Sequence, residues 1–546
     1  MLQLHTPNNT SCADTHLRIF NIAIDTAIME TPVTFPSFAI YLVCFAVPYA
    51  LLVVCYRLYV HPLKQYPGPL LAKVTNFYAL FHAAMTDLHR QTLLDHEKYG
   101  PVLRQGPNKL VFNSAKALQD IYHNNQVAKS RVYLASLKGP NTYNLFNVID
   151  KNLHRERRQL VAPVINERSM QIFEPVMTEQ VEIFIQLIRQ SCRGDNASAL
   201  NMTDKCKYLG MDIVGLLAFG YPLRLQTEET NRFIIDTLKI SNYGLNLCMQ
   251  QPFLANLHLE ILLFLRAAIK RKSYLRTIEK MIRERVSQEK NAHHDFFSYV
   301  ADGIKTSTGN TVWGSEIWTE AIFFLSAGGD TVSTAMSAIF FYLSRNEDCY
   351  RRLAAEIRSS FTDAIDICGS RLSSCRYLRA CIDETLRMSP PLPGTLWREQ
   401  MAGGKAGQGP LIVDGHVVPP GTQVGVNIYS LHHNEKYFPD PFKFRPERWL
   451  ADQPGMADRK AFAPFLVGSR ACAGKAMAYL EMSLVIAKTL WHFDFEKTSG
   501  RLGEVGGIKP PGGYRDGGDD EYLLRDITVS AHNGPYLAFK PRETLS

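Results

Sequence analysis

The chain has 546 residues, 46% of them hydrophobic and 21% charged, with a formal net charge of +8. That balance is modest for the length, and without a basic tract interleaved with aromatics it argues against nucleic acid as a partner. Eleven cysteines, an odd number with no C-x-x-C pair, exclude a disulfide framework and a zinc site. They read as structural or incidental in a reducing compartment, apart from Cys472 and, in the N-terminal tail, Cys12. Length alone allows two or three domains, but no Pro/Gly/Ser-rich linker divides the chain and no internal repeat is present.

Residues 35–56, FPSFAIYLVCFAVPYALLVVCY, carry no charge over 22 positions, enough to span a hydrocarbon core. Pro48 would kink such a helix, which a membrane segment tolerates. Arg18 is the only Arg or Lys in residues 1–34, whereas Arg57, Lys64 and Lys73 follow the run. The positive-inside bias therefore places the bulk of the chain in the cytosol. The run is too long for a signal-peptide core, and no small-residue cleavage site follows it. The expected layout is a lumenal tail over 1–34, a transmembrane anchor over 35–56, a basic Pro-rich hinge over 57–74 and one catalytic body over 75–546. Asn8 and Asn9 both stand in N-x-[ST] sequons, compatible with a glycosylated lumenal tail.

Helical patterns dominate the body. Strand-like pieces cluster in GPVLRQGPNKLVFNS, in LIVDGHVVPPGTQVGVN and in DITVSAHNGPYLAFKP, giving a mainly α class with a small β-rich lobe. HRERRQLVAP puts His154, Arg155, Arg157 and Arg158 on one helix. AIFFLSAGGDTVSTAMSAIFFYLSRN is apolar all round and should be buried, yet Gly328, Gly329, Asp330 and Thr331 stand in its middle. Each glycine there costs roughly 1 kcal/mol, and an acid in an apolar helix needs a reason. CIDETLRMSPP sets Glu384 and Arg387 on one helix face, and FRPERWL follows with Arg448. FLVGSRACAGK then places Cys472 between Gly468 and Gly474, with Arg470 beside it and an apolar helix after it. The glycines let backbone approach a flat group closely. Arg470 can donate to an anion in fork geometry, and the helix N-terminus favours a thiolate. The Gly-rich residues 499–521 read as a surface loop.

The F-x-x-G-x-R-x-C-x-G stretch from Phe465, A-G-G-D-T, E-x-x-R and P-E-R-W, in that relation, resemble the cytochrome P450 family of haem-thiolate monooxygenases. The resemblance covers nearly the whole chain from Arg57 onward. YRLYVHPLKQYPGPLLAK, YGPVLRQGPNKLVFNS and YFPDPFKFRPERWL are similar to fungal microsomal members. It implies the P450 fold and haem b with Cys472 as axial iron ligand, lined by Phe465, Gly468, Arg470 and Gly474. His154, standing where many members have Trp, together with Arg158 and Arg398, would meet the haem propionates. Glu384, Arg387 and Arg448 would lock the scaffold. Gly328 and Gly329 would open a groove for dioxygen. Thr331 would donate a hydrogen bond to it and Asp330 would relay protons, although Val332 replaces the usual second hydroxyl and Ser333 comes only after it. Position in the family points to Tyr143, Phe146, Phe324, Ala327, Thr395, Leu396 and the turn at Ser530–His532 as substrate contacts. It also implies electrons from NADPH through NADPH-cytochrome P450 reductase, docking on a basic face of Lys151, Arg155, Arg157 and Lys475.

The expected protein is thus a single-pass endoplasmic reticulum enzyme that inserts one oxygen atom from O2 into an apolar small molecule, in fungal secondary metabolism. Two alternatives share the fold: a haem-thiolate isomerase or dehydratase, against which Asp330 and Thr331 count, and a non-enzymatic haem sensor, which has little need of a reductase-facing surface.

Overall fold

The computed structural model describes residues 35–137, 142–162, 167–193, 199–256, 267–289, 295–297, 316–400, 409–451, 457–510 and 520–542. Asn8, Asn9 and Cys12 lie outside them. The chain divides into two units, up to His61 and from Pro62 onward. The first holds helix α1, Phe35–Cys55, with Pro48 inside and no charged residue, and a π-helical turn at Tyr56–Val60. At ~1.5 Å per residue α1 is about 30 Å long. Phe45, Tyr49 and Leu52 on it are 69–76% exposed.

The second unit is mostly helical. The elements that frame the site are α2 (Ala115–Tyr122), α3 (Lys151–Val161), α4 (Glu167–Ser191), α5 (Met202–Phe219), α6 (Phe233–Gln250), α7 (Glu316–Leu325), α8 (Thr331–Leu343), α9 (Glu347–Ser360), α10 (Arg376–Met388) and α11 (Lys475–His492). Their ends follow local chemistry. The Asp150 carboxylate accepts from the Leu153 amide at 2.8 Å to start α3, and the Ser114 hydroxyl accepts from Ala117 at 3.0 Å to start α2. Gly220, left-handed at φ 58°, stops α5. Helix α8 is buried along nearly its whole length, and α5, α10 and α11 pack around it. The span Trp318–Leu343 is long and apolar enough to cross a membrane, but it is mostly buried inside the body, as a core helix is.

The β-rich lobe contains a five-stranded sheet in the order β1 (Val102–Gly106), β2 (Lys109–Phe112), β8 (Gln423–Val426), β5 (Arg398–Gln400), β3 (Val127–Lys129). Strands β2 and β8 run parallel and the other pairs antiparallel. A small hairpin joins β6 (Leu411–Val413) to β7 (His416–Val418). A three-stranded sheet sets β12 (Tyr536–Pro541) between β4 (Leu200–Asn201) and β9 (Phe493–Lys497). The strand β9 directly after α11 was not visible in the sequence pattern. Within the stretch 499–521, expected as a surface loop, Arg501–Glu504 forms a short helical turn and Gly507–Ile508 (β10) pairs with Glu521–Tyr522 (β11).

One buried ion cluster ties α10 to the P-E-R-W turn. The Glu384 carboxylate accepts from Arg387 at 2.9 Å through each oxygen, from Arg448 Nε at 2.9 Å, from the Arg445 amide at 3.0 Å and from the Trp449 indole at 3.0 Å. Arg387 spends another N–H on the His432 carbonyl at 2.9 Å, and Arg448 one on Pro439 at 3.0 Å. The side chains of Glu384, Arg387 and Arg448 are fully buried. Desolvation pushes the Glu384 carboxyl up, but Arg387 and Arg448 together hold it below its ordinary value.

Glu384→Gln would leave two buried guanidiniums with one neutral acceptor, and removing one partner of a buried pair costs about 3–5 kcal/mol. Chemical denaturation should show that loss. Because the folded carboxyl titrates lower than the unfolded one, its contribution is complete above the unfolded value of 4.5 and is lost as pH falls through the folded value. The stability gap between wild type and variant should therefore close in acid, and a gap unchanged at low pH would contradict the assignment.

Candidate active site

The Cys472 loop is wound by two left-handed residues, Leu466 at φ 58° and Gly468 at φ 79°. The Cys472 amide donates to the Phe465 carbonyl at 2.8 Å and the Ala471 amide to Gly468 at 3.0 Å, closing the loop under the sulfur. The Phe465 ring lies 5.2 Å from Tyr479 and 6.0 Å from the Lys475 ammonium. The two glycines differ. A Cβ on Gly468 would stand 2.1 Å from the Tyr122 carbonyl, so this glycine seats the loop on the end of α2. A Cβ on Gly474 would meet nothing within 4 Å. Only the second faces open space of the kind a flat group would fill.

The Cys472 thiol is solvent-accessible, yet desolvation by the surrounding protein holds its pKa above the ordinary thiol value. The Gly474 amide, Arg158 and Lys475 pull against that without reversing it. A coordinated metal deprotonates such a thiol outright.

Beside this loop lies a cleft of about 290 Å³ whose walls include Lys129, His154, Arg158, Arg398, Ser469 and Arg470. Lys129 on β3 is the cross-strand partner of Arg398 on β5, two cations opposed in one rung. Burial and the charges of Arg398 and Arg470 push Lys129 well below the usual lysine range. Burial and Arg398 lower Arg470 to about 10, although Asp150 opposes the shift. His154 is lowered to about 3 by burial, Arg470, Lys129, Arg158 and Arg398, and so is neutral. No acidic residue is among those lining the cleft. The guanidiniums find carbonyls instead: Arg158 donates to Ala471 at 3.0 Å, Arg470 to Ile149 at 2.9 Å and to Val148, and Arg398 to Trp397 at 3.0 Å. Such a cluster calls for a bound anion. Together with the accessible Cys472 thiol and the open face of Gly474, it fits haem b, whose propionates supply the missing negative charge.

The apolar helix expected over 321–346 is interrupted. Helix α7 widens into a π-turn at Ser326–Asp330 before α8 begins, a distortion common at functional sites. Added Cβ atoms on Gly328 and Gly329 would come within 2.7 Å of Val214 and Met211. The glycines thus let α5 approach the π-turn, rather than facing a groove for dioxygen. The Thr331 hydroxyl donates to the Ala327 carbonyl at 2.7 Å. With its one proton committed, it offers a neighbour an acceptor, not the expected donor. Asp330 is buried, accepts from Asn242 at 3.3 Å and lies 3.6 Å from the Lys207 ammonium. Burial raises its pKa, and Lys207 and Asn242 oppose this. Ser333 donates to the Asp330 carbonyl at 3.0 Å inside the core and cannot stand in for Thr331.

The expected substrate contacts separate. Phe146, Thr395 and Leu396 line a second, smaller cavity. Phe324 stacks on Phe296 at 5.5 Å as core, and Tyr143, half-buried, lines neither cavity. The turn after Asp526 packs on α8, where the His532 imidazole lies 3.4 Å from the Thr334 hydroxyl. Of the basic face, Arg155 and Lys475 are exposed and Lys151 half-buried. Arg157 is not part of it: it is buried and paired with Glu320 of α7 at 3.0 Å. Sequence reasoning missed Lys129, Lys207 and Glu320, isolated polar residues that only the tertiary fold brings to the site.

The cytochrome P450 family profile matches residues 67–503. Curated relatives extend over nearly the whole chain. The cytochrome P450 monooxygenase poxM of Penicillium oxalicum is 36% identical over 89% of this chain and 92% of its own length. AKT7 of Alternaria alternata is 34% identical over 89% and 94%, and apf7 of Gibberella fujikuroi 32% identical over 94% and 99%. These relatives all bear the name cytochrome P450 monooxygenase. The chain belongs to the cytochrome P450 family. Membership implies an iron haem held by a cysteine thiolate and electrons from a redox partner.

Gly468→Ala should destabilise the fold itself, by at least the roughly 1–2 kcal/mol of a left-handed non-glycine residue with the Tyr122 clash added. Gly474→Ala should leave denaturation unchanged and weaken haem retention instead. Equal stability loss in both variants would contradict the division of labour between the two glycines.

Proposed function

We propose that this chain is a membrane-anchored monooxygenase that takes electrons from NADPH through its reductase and inserts one atom of O2 into an apolar small molecule of fungal secondary metabolism. The other oxygen atom leaves as water with two electrons and two protons. The observation that carries the reading is the accessible Cys472 thiol beside a cleft walled by Arg158, Arg398, Arg470 and Lys129 with no lining carboxylate. Haem held there by the Cys472 thiolate would supply reductive dioxygen activation, with electron density from the sulfur assisting it.

The chain's own groups do the rest. Arg398 and Arg470 orient the cofactor by charge, and neutral His154 adds a hydrogen-bonding ring without further repulsion. Thr331 Oγ1, its own proton spent on the Ala327 carbonyl, is left to accept a hydrogen bond from a proton donor. Asp330, poised between Lys207 and Asn242, is the buried acid nearest that hydroxyl in sequence and passes protons toward it. The dense aliphatic and aromatic packing around α7 and α8 keeps bulk water out. The uncharged helix α1, with Phe45, Tyr49 and Leu52 exposed on it, supports membrane anchoring in the endoplasmic reticulum, with the body cytosolic. On the body, Leu71, Phe77, Phe81, Met85 and Phe253 are also exposed, an apolar surface suited to lipid.

Cys472→Ser should abolish the red-shifted Soret band of the reduced carbon monoxide complex, and survival of that band would sink the ligand assignment. Thr331→Val keeps shape and removes the hydroxyl. It should leave that band intact and NADPH consumption running while product per NADPH falls, by a factor on the order of a hundred if the lost contact acts near the transition state. Unchanged coupling would remove Thr331 from the mechanism and favour a substrate-supplied hydroxyl in its place, whereas a lack of NADPH consumption with purified reductase would support the isomerase reading. Deleting residues 1–57 should release most of the protein from membranes with haem still bound; collapse of the body on truncation would refute the anchor.

A further inference from the structure

The smaller cavity, of about 40 Å³, is built from the residues that immediately precede Arg398, with helix α6 and the turn at Asp526 opposite. A water needs roughly 10–15 Å³ of such space, so the cavity admits a head group of a few heavy atoms and no ring system. Its chemistry is the reverse of the cationic cleft. No basic residue is among those lining it. Three donors in its walls are committed: Asn246 Nδ2 to the Asp526 carbonyl at 2.8 Å, Gln105 Nε2 to Thr92 at 2.7 Å, and the Thr528 hydroxyl to Asn242 at 3.3 Å. The buried Tyr133 hydroxyl, which has no partner among the described residues, can either give or accept. The nearby Lys109 ammonium is engaged by the Gln250 backbone carbonyl at 3.4 Å and the Trp397 ring.

The acceptors are not committed. Gln250, 5% exposed, has an Oε1 without a hydrogen-bond partner among the described residues. Asp526, 3% exposed, receives one long bond on Oδ1, from the Thr528 amide at 3.3 Å, and Oδ2 receives none among the described residues. Burial pushes this carboxyl up to about 6, with Asp87 adding to the rise and the Thr528 amide opposing it. A buried carboxylate without a cation and a buried amide oxygen without a donor are both costly, and a bound donor relieves whichever it meets.

We propose that this cavity holds the hydrogen-bond-donating head group of the substrate, a hydroxyl or protonated amine on an otherwise apolar skeleton, and that Asp526 with Gln250 selects for it. This rests on the monooxygenase reading and adds the polar handle that orients the molecule. The contact is a specificity determinant, since neither residue touches the Cys472 loop.

Three probes of one shape decide the matter: tert-butylcyclohexane, 4-tert-butylcyclohexanol and 4-tert-butylcyclohexylamine. Equilibrium dialysis against the reduced holoenzyme under carbon monoxide prevents either head group from ligating iron. Wild type should bind the alcohol and the amine at least about tenfold more tightly than the hydrocarbon, the range of a hydrogen bond to a charged or buried acceptor. Asp526→Asn should erase most of the amine's advantage, and Gln250→Met should reduce the alcohol's, with hydrocarbon binding unchanged in both. Should Asp526→Asn fail to fold, Gln250→Met decides by the same comparison, because its amide oxygen has no protein partner to lose. Equal affinity of wild type for the three probes, or preferences that survive in the folded variants, overturns the proposal and leaves the cavity to water. A wild-type chain lacking the red-shifted carbon monoxide band would instead fail as a haem-thiolate enzyme, a separate outcome.

Discussion

The Glu384 carboxylate, gripped by Arg387, Arg448, the Arg445 amide and the Trp449 indole, is the contact on which the rest of the structure depends. These donors come from α10 and from the P-E-R-W turn far along the chain. Their meeting fixes the irregular stretch that leads into the Cys472 loop. Burying an ion cluster is weakly favourable at best, and its use here is to specify one arrangement. Once Trp449 is placed, Phe462 packs on it at 4.5 Å, and the loop carrying the thiol has a fixed starting point.

From that anchor two cavities of opposite character are built around one short strand. Arg398 turns a positive charge into the larger cleft, while the residues just before it wall an acceptor-rich pocket. The cofactor's acid groups and the substrate's donor group thus find complementary surroundings within a few residues of each other. The low-dielectric interior strengthens both preferences, because an unmatched charge there has no water to fall back on.

What the sequence revealed tracks how local each signal is. Cys472, Glu384, Arg387, Arg448 and the Gly-Gly-Asp-Thr interruption stand in tight motifs, and the structure places each in a defined surrounding. The three strand-rich stretches were also legible, because apolar runs and turn residues mark them. The partners were not. Lys129 is an ordinary lysine until strand register sets it against Arg398. Arg157 looks like one more surface charge until Glu320 is found beneath it. The roles of Gly328, Gly329 and Gly468 changed for the same reason: a missing Cβ shows where something approaches closely, but only the fold shows that the approaching groups are Val214, Met211 and the Tyr122 carbonyl. The donor sense of Thr331 likewise depended on an interhelical turn that composition does not report.

The rung formed by Lys129 and Arg398 has a further meaning. β3 is the outermost strand of its sheet, and only one of its three rungs sets two basic residues against each other. The protein closes that edge by itself: Glu399 on β5 takes Arg131, just past β3, at 2.9 Å, and the Lys129 ammonium rests on the Phe146 carbonyl. The basic rung is thus a local electrostatic load carried inside a frame that other contacts hold shut. An arriving anion finds its two receptors already set at a fixed spacing, so little ordering remains to be done when it binds.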